Sequence, residues 1–384
     1  MRRVRRPSLS RLRVAMLGLR APWGAEGGVE LAVGELAPRL AASGVDVTVY
    51  CRGRYNPYGS GTRSGVRLID TPTVYRRSLE ALVHTALAAP RAAVTADVVH
   101  LHACGPALFS GLPALLRRPV VVTLHGKDWE RDKWGPAARL FLRSGAWMAG
   151  HASTEIITVS RGLKLWCEEN YPAPVTHIPN GVAPHVAVPW EPSVFPSLTP
   201  GGYHLFLGRL VPEKEIGTLL RAVARATPSL PVVITGGGSY TDDYVERLHR
   251  DAPAGVIFTG TRFGHDKAML LTHARSFLFP SRVEGLPIAL LEAMAAGLPT
   301  LTSDIPPNLE VLGSVGGWRL PVGDAHAWGA ALHAVEASTP ELLAAIGAEG
   351  RARVETNFGW DTVVTATRGV YERVLSRPAP PRAQ

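Results

Sequence analysis

The sequence is poor in cysteine. Cys51, Cys104 and Cys167 are three, odd in number and far apart, which fits neither a disulfide framework nor a metal knuckle and implies a reducing compartment. Charged residues make up only 19% of the chain against 46% hydrophobic, with no long biased tract, so a disordered chain is excluded and a packed core expected. Long apolar runs are also missing. The first, residues 14–19, is closed by Arg20 and is too short for a signal-peptide core or a membrane span, so a cytoplasmic protein is expected. No zinc-finger spacing and no RNA-binding aromatic signature occurs. No G-x-G-x-x-G fingerprint is present, and no D-x-D pair stands ready to hold a divalent ion on a diphosphate. Asp242-Asp243 lacks the matching spacing, so metal independence is expected.

The net charge of +9 is concentrated at the ends. Residues 1–13 carry six arginines and no acid, residues 377–384 carry Arg377 and Arg382 and no acid, and the body is left near +1. A near-neutral body lacks the broad cationic face that nucleic-acid binding requires. The N-terminal arm, residues 1–12, reads as a disordered extension. Weak peripheral contact with acidic lipid headgroups, at the inner face of a membrane, is its functional alternative.

At 384 residues the chain exceeds one ordinary core, so two domains are expected. Residues 13–19 read as a short buried strand ending in a glycine-rich loop, and Gly27-Gly28-Val29-Glu30 then opens a helix that runs through Leu40. Further strands fall at 45–50, 97–102 and 119–124, each followed by a loop and a helical stretch. Residues 184–202 are rich in proline and lack helical periodicity, which marks a linker. The alternation restarts at Tyr203-His204-Leu205-Phe206-Leu207-Gly208, with strands at 231–235, 256–259, 276–279 and 299–302. Two doubly wound Rossmann-like α/β domains are expected, residues 13–183 and 203–359, facing a cleft. Residues 360–376 have helical spacing suited to crossing back to the first domain, and 377–384 form a tail.

Several short patterns carry chemistry. Gly27 and Gly28 lie between a strand and a helix, where bare backbone N–H groups can approach an anion, although a tight turn without a ligand explains them equally. Gly236-Gly237-Gly238 is ambiguous in the same way. Gly208-Arg209-Leu210-Val211-Pro212-Glu213-Lys214 places two cations on a strand-end loop, a combination suited to a diphosphate whose charge grows as a bond breaks. Ion pairs of these cations with Glu213 and Glu215 are the simpler alternative. Ser281-Arg282-Val283-Glu284-Gly285-Leu286-Pro287 puts a carboxylate at another strand end. Glu292 follows about two helical turns later, on a helix from 287 to 296 with free N–H groups at its start, so both acids are expected to face one pocket. His125 follows the strand at 119–124 and opens a loop crowded with Lys127, Asp128, Trp129, Glu130, Arg131, Asp132, Lys133 and Trp134, which suits a polar acceptor. His100 and His102 end the preceding strand and read first as core histidines, with His102 also a candidate acceptor contact.

On Glu284 to Glu292 as an E-x7-E motif with its Gly-Leu-Pro insert, Gly208-Arg209 with Lys214, Gly27-Gly28, His125-Gly126 and Ile178-Pro179-Asn180-Gly181-Val182, the chain resembles retaining GT-B glycosyltransferases of family 4 (group 1). The resemblance spans residues 13–375. It implies transfer of a hexose or N-acetylhexosamine from a nucleotide-diphosphate sugar, UDP-glucose or UDP-N-acetylglucosamine first, to an acceptor hydroxyl with retention. The sugar nucleotide is a co-substrate, and no cofactor is implied. By the resemblance Arg209 and Lys214 hold the diphosphate, and Gly27 and Gly28 join the donor contacts. Glu292 holds the ribose, while Glu284 with Gly285, Leu286 and Pro287 holds the transferred sugar. His125 lies near sugar and acceptor; Asp128, Trp129, Arg131, Lys133 and His102 are the candidate acceptor contacts. Glu215 stands where glycine commonly follows the lysine, and Ala183 where aspartate often follows Asn-Gly-Val. The acceptor stays open between an aminocyclitol antibiotic intermediate, which the acids Asp128, Glu130 and Asp132 would suit, and a cell-surface or lipid-linked glycan. A sugar-nucleotide epimerase, a phosphorylase-like enzyme and a non-catalytic sugar-nucleotide-binding module remain the rivals.

Overall fold

The computed structural model describes residues 12–24, 27–76, 79–132, 134–238 and 242–376. Residues 1–11 of the basic arm, the tail at 377–384 and Lys133 lie outside the described residues. The chain forms two compact units, Met1–Asn180 with Trp360–Gln384, and Gly181–Gly359.

The first unit is built on eight strands: β1 (Arg13–Leu17), β2 (Asp46–Arg52), β3 (Gly61–Arg63), β4 (Val66–Thr71), β5 (Val98–His102), β6 (Val120–Leu124), β7 (Glu155–Thr158) and β8 (Val175–His177). Their order is β3-β4-β2-β1-β5-β6-β7-β8, parallel throughout except for the β3–β4 pair. Helices cover both faces, which is why β5 and β6 are buried at every residue and read as apolar runs without alternation. One face packs against helices Gly28–Ala42 and Trp360–Ser376 through Val33, Leu40, Val370 and Tyr371. The other packs against Glu80–Thr95, Pro136–Ala152 and Arg161–Asn170, where Ala88, Ala92, Ala146 and Ala149 let helix and sheet approach closely.

The second unit carries β9 (His204–Leu207), β10 (Val232–Thr235), β11 (Val256–Gly260), β12 (Ser276–Phe279), β13 (Thr300–Ser303) and β14 (Trp318–Leu320). All neighbours are parallel, in the order β11-β10-β9-β12-β13-β14. Helices Ile216–Ala226 and Ala325–Ala337 close one face around the fully buried Trp328. Helix Ile288–Ala295 is apolar nearly all round because it lies between its sheet and helix Pro340–Asn357.

Three boundaries move from the sequence reading. Leu12, assigned to the arm, is 4% exposed and packs in the first core. Residues 184–202 are not a free linker. Phe195 and Leu198 are buried, His185 Nε2 meets Thr272 Oγ1 at 2.9 Å, and Trp190 sets its ring edge-on to His273, so the prolines block a helix while the apolar side chains still find the second unit. The division itself falls after Asn180 rather than after residue 183. Helix Trp360–Ser376 belongs to the first unit, where Tyr371 hydrogen-bonds His100 at 2.7 Å and Arg373 donates to Glu155 at 2.7 Å.

In each unit the strand order turns back once, between β1 and β5 and between β9 and β12. Loops leaving those neighbouring strand ends diverge and open a crevice where ligands bind in such sheets. Gly18, just beyond β1, has φ +108° and no room for a side chain, since a Cβ there would lie 2.3 Å from the carbonyl oxygen of His102. Gly18→Ala is expected to lower the melting temperature by about 4–8 °C, from a strain of about 2 kcal/mol in a domain of this size. A melting curve superimposable on that of the parent protein would contradict this account of the crevice.

Candidate active site

The turning point of the second sheet brings two of the sequence motifs together. β9 ends at Leu207 and leads through Gly208-Arg209 into the turn Pro212–Lys214, while β12 ends at Phe279 and leads to Glu284. Lys214 Nζ lies 2.5 Å from Glu284 Oε1, with 12% and 10% of the two side chains exposed, and 4.7 Å from the centre of the Phe279 ring. The ammonium thus has a carboxylate on one side and an aromatic face on another. Arg209 leaves the same strand end, half-buried. Gly236 makes this approach possible, because with φ +153° a Cβ would sit 1.8 Å from the Gly208 carbonyl oxygen, and Leu210 N donates to Gly237 O at 2.8 Å. The triple glycine therefore serves as the seat of the Arg209 loop.

Glu292 has a different lysine. Its carboxylate accepts from Lys267 Nζ at 2.6 Å, a residue of helix Gly264–His273 that no local spacing singles out. Glu284 and Glu292 are thus each held by a lysine of its own, in two separate ion pairs, Lys214–Glu284 and Lys267–Glu292. Pro287 is the residue before helix Ile288–Ala295 rather than its first residue, and without an N–H it offers shape and no donor. Glu213 is fully buried, and Glu215 turns to Arg282 Nε at 3.2 Å and Thr218 Oγ1 at 2.8 Å. Glu215 also adopts the left-handed region, φ 52° and ψ 33°. That is the conformation glycine enters without strain, which gives a physical reason for glycine at this place in related chains.

In the first unit, Gly27 precedes helix Gly28–Ala42, and a Cβ on it would meet Glu30 Oε2 at 2.0 Å. The Glu30 carboxylate folds over this helix start and accepts from Arg20 N at 3.2 Å; Gly28 faces open space. At the ends of β5 and β6 three histidines form a chain. His100 is fixed by Tyr371 Oη and Thr123 Oγ1, each at 2.7 Å, the His102 ring lies 4.1 Å away, tilted by 31°, and His102 Nδ1 meets His125 Nε2 at 3.3 Å. Burial holds His100 down at about 3 and His125 at about 4, the nearby Asp128 only partly opposing it for His125, and keeps His102 well below the ordinary range. All three are neutral at pH 7, so one ring of the His102–His125 contact donates and the other accepts. His102 Nε2 is buried without a hydrogen-bond partner, and the three rings line a cavity of about 30 Å³ with Thr123 and Asn180, room for about one water.

The loop after His125 departs from its expected character. Trp129 was expected to grip an acceptor, yet it is 7% exposed and packs on Trp166 at 5.4 Å as part of the core, because its ring lies over the apolar helix layer. Asp128 and Arg131 pair with each other at 3.2 Å, and Lys127 lies 3.6 Å from Glu130 while covering the Trp166 ring. The charges meant for a polar ligand are largely spent inside the loop.

A family model described as Glycosyl transferases group 1 matches residues 197–353, and one described as Glycosyltransferase Family 4 matches residues 26–186. The chain is a family 4, group 1 glycosyltransferase. The alpha-maltose-1-phosphate synthase of Mycolicibacterium smegmatis is 28% identical over 400 residues, covering 94% of this chain and all of the relative. Anabaena HepE, solved with UDP and glucose, has a TM-score of 0.78 at 18% identity, over 94% of this chain and 100% of that one. Sucrose-phosphate synthase from Thermosynechococcus elongatus gives 0.78 at 18% identity, over 95% and 99%. The architecture is accordingly GT-B, and the reaction class is glycosyl transfer from a nucleotide sugar.

Sequence reasoning missed the partners of this glycosyltransferase's key residues: Lys267, Arg282, Phe279 and Glu30. Only Glu30 carried a signal, as an acid in a first helical turn. The buried neutral histidines have a consequence for pH. Their folded-state values lie below the unfolded value near 6.5, so between pH 6.5 and 4 the unfolded chain binds more protons and stability falls as pH falls. For His100 the loss is on the order of several kcal/mol once the pH passes below its folded value. Melting temperatures measured from pH 7.5 to 4.5 should decline steadily, and His100→Gln should flatten the acid limb. An acid limb of unchanged slope in that variant would assign the effect elsewhere.

Proposed function

We propose that this glycosyltransferase moves a hexose from a UDP-sugar, UDP-glucose first, to a hydroxyl of a small polyhydroxylated acceptor with retention at the anomeric carbon and without a metal ion. The observation that carries the reading is the Lys214–Glu284 contact at the carboxyl ends of β9 and β12, a cation and an acid joined where a sheet of this kind takes its ligand. Support for the donor comes from Anabaena HepE, whose structure holds UDP and glucose. Arg209 and Lys214 bind the diphosphate. Glu284 accepts hydrogen bonds from hydroxyls of the sugar, with the N–H groups of Gly285 and Leu286 beside it, and Glu292 holds the ribose while Lys267 fixes its carboxylate. On the first unit, His125 touches sugar or acceptor as a neutral hydrogen-bonding group.

In the step itself the bond between the anomeric carbon and the diphosphate oxygen breaks, and the acceptor oxygen bonds to that carbon on the same face. The acceptor proton passes to the departing phosphate oxygen. Charge that grows on the diphosphate is met by Arg209 and Lys214, whose positions are set in advance by the strand ends. The internal pairing of Asp128 and of Glu130 favours a neutral ring, such as a sugar or cyclitol, over one recognised through its amino groups. An aminocyclitol, recognised through its amino groups, is accordingly the less favoured acceptor.

The test is UDP release measured over a panel of sugar nucleotides and of neutral, amino-substituted and lipid-linked acceptors, with the product's anomeric configuration read by NMR. Arg209→Ala and Lys214→Ala should each lower kcat/KM by about 10²–10³, with circular dichroism unchanged for Arg209→Ala, and a chelator should leave turnover intact. Near-parental turnover in both variants, or an inverted product, would overturn the reading.

A further inference from the structure

The helix layer that covers β5 to β7 on one face has an unusual outer surface. Helix Pro136–Ala152 buries Leu142, Ala146 and Ala149, and its exposed stripe is Arg139, Leu140, Arg143 and Trp147, with Leu140 67% and Trp147 53% exposed. The short helix Gly111–Leu115 packs against it and against helix Glu80–Thr95. Around that short helix Leu112, Leu115, Leu116 and Arg117 face solvent, Leu115 being 84% exposed. Helix Glu80–Thr95 adds Leu87, Arg91 and Val94, spaced i, i+4, i+7 along one stripe, and Arg118 Nε ties this helix to the next segment through the Ala93 carbonyl.

Two properties of this surface point the same way. It is apolar where a solvated helix layer is polar, and its charges are all of one sign. The only acid in the three helices is Glu80, which is buried and held by Arg52 at 3.1 Å. The patch stops at helix Arg161–Asn170, where Glu168 and Glu169 return to the surface. Beside the patch a pocket of about 700 Å³, walled by Trp147, Trp166, Tyr171 and Met148, adds an apolar recess. Contiguous apolar surface rimmed by polar residues marks a docking site, and arginines interleaved with leucine and tryptophan on a helix lying flat are the chemistry of an anionic bilayer interface. No helix among the described residues is long and apolar enough to cross a membrane.

We propose that this face of the first unit docks reversibly on an anionic phospholipid bilayer, the leucines and Trp147 entering the headgroup boundary while Arg91, Arg117, Arg139 and Arg143 meet lipid phosphates. The inference does not depend on the donor or acceptor proposed above. The full chain is tested by co-sedimentation with phosphatidylcholine vesicles with and without phosphatidylglycerol, at low and raised salt. The parent protein should bind only the phosphatidylglycerol vesicles, and less so in raised salt. Leu115→Asp with Leu140→Asp, and separately Arg139→Glu with Arg143→Glu, should each weaken partition by about tenfold or more with unchanged melting temperature, as befits exposed positions. A third variant, with Arg2, Arg3, Arg5 and Arg6 replaced by Gln, separates the basic arm from the patch and should bind within about threefold of the parent. Failure of the parent protein to bind anionic vesicles, full binding by both patch variants, or loss confined to the arm variant would each overturn the proposal.

Discussion

An ammonium and a carboxylate held 2.5 Å apart with about nine-tenths of each side chain removed from water are costly to bring together, and Lys214 with Glu284 is such a pair. Desolvation of two ions often cancels their attraction, so a hydrophobic replacement would serve stability as well. What the pair provides is position. Two strand-end loops that the sheet order already separates are pinned at one point, with Phe279 beneath the lysine and Gly236 allowing the Arg209 loop to come near. Much of the second unit is arranged around that requirement. The all-parallel sheet turns back at β9 and β12, and helix Ile288–Ala295 is buried on nearly every side, so the segment after Glu284 has little freedom.

The first unit uses hydrogen bonds where the second uses charge. His100, His102 and His125 are neutral because burial outweighs every nearby carboxylate. A neutral imidazole offers one donor nitrogen and one acceptor nitrogen and adds no charge to the strand ends that carry it. The anchoring of His100 by Tyr371 and Thr123 also explains why helix Trp360–Ser376, last in the chain, belongs with the first sheet. Its tyrosine supplies a partner that the buried histidine would otherwise lack.

Much of this was legible in the chain. Parallel strands covered on both faces leave continuous apolar runs, so β5, β6, β9, β10 and β12 stood out to within a residue or two; the motifs around Arg209, Lys214 and Glu284 were read from their places after strand ends, and Glu292 from its spacing along the following helix. Strands β3, β4, β7, β8 and β14 did not stand out. Several of them carry polar residues, such as Glu155, whose buried carboxylate is bonded by Thr176 and Arg373. The stretch at 184–202 misled through its prolines, which report the absence of a helix but not the absence of packing.

The sequence by itself determined the class of fold, the two-unit division and the residue types of the candidate donor site, because periodicity and strand-end motifs are local properties. Tertiary structure decided which lysine each acid holds, that Trp129 packs inward, that the loop charges after His125 satisfy one another, and that the histidines are neutral. Each of those depends on contacts between residues dozens to hundreds of positions apart and on how far water is excluded from them, and neither quantity is written in any short run of the chain.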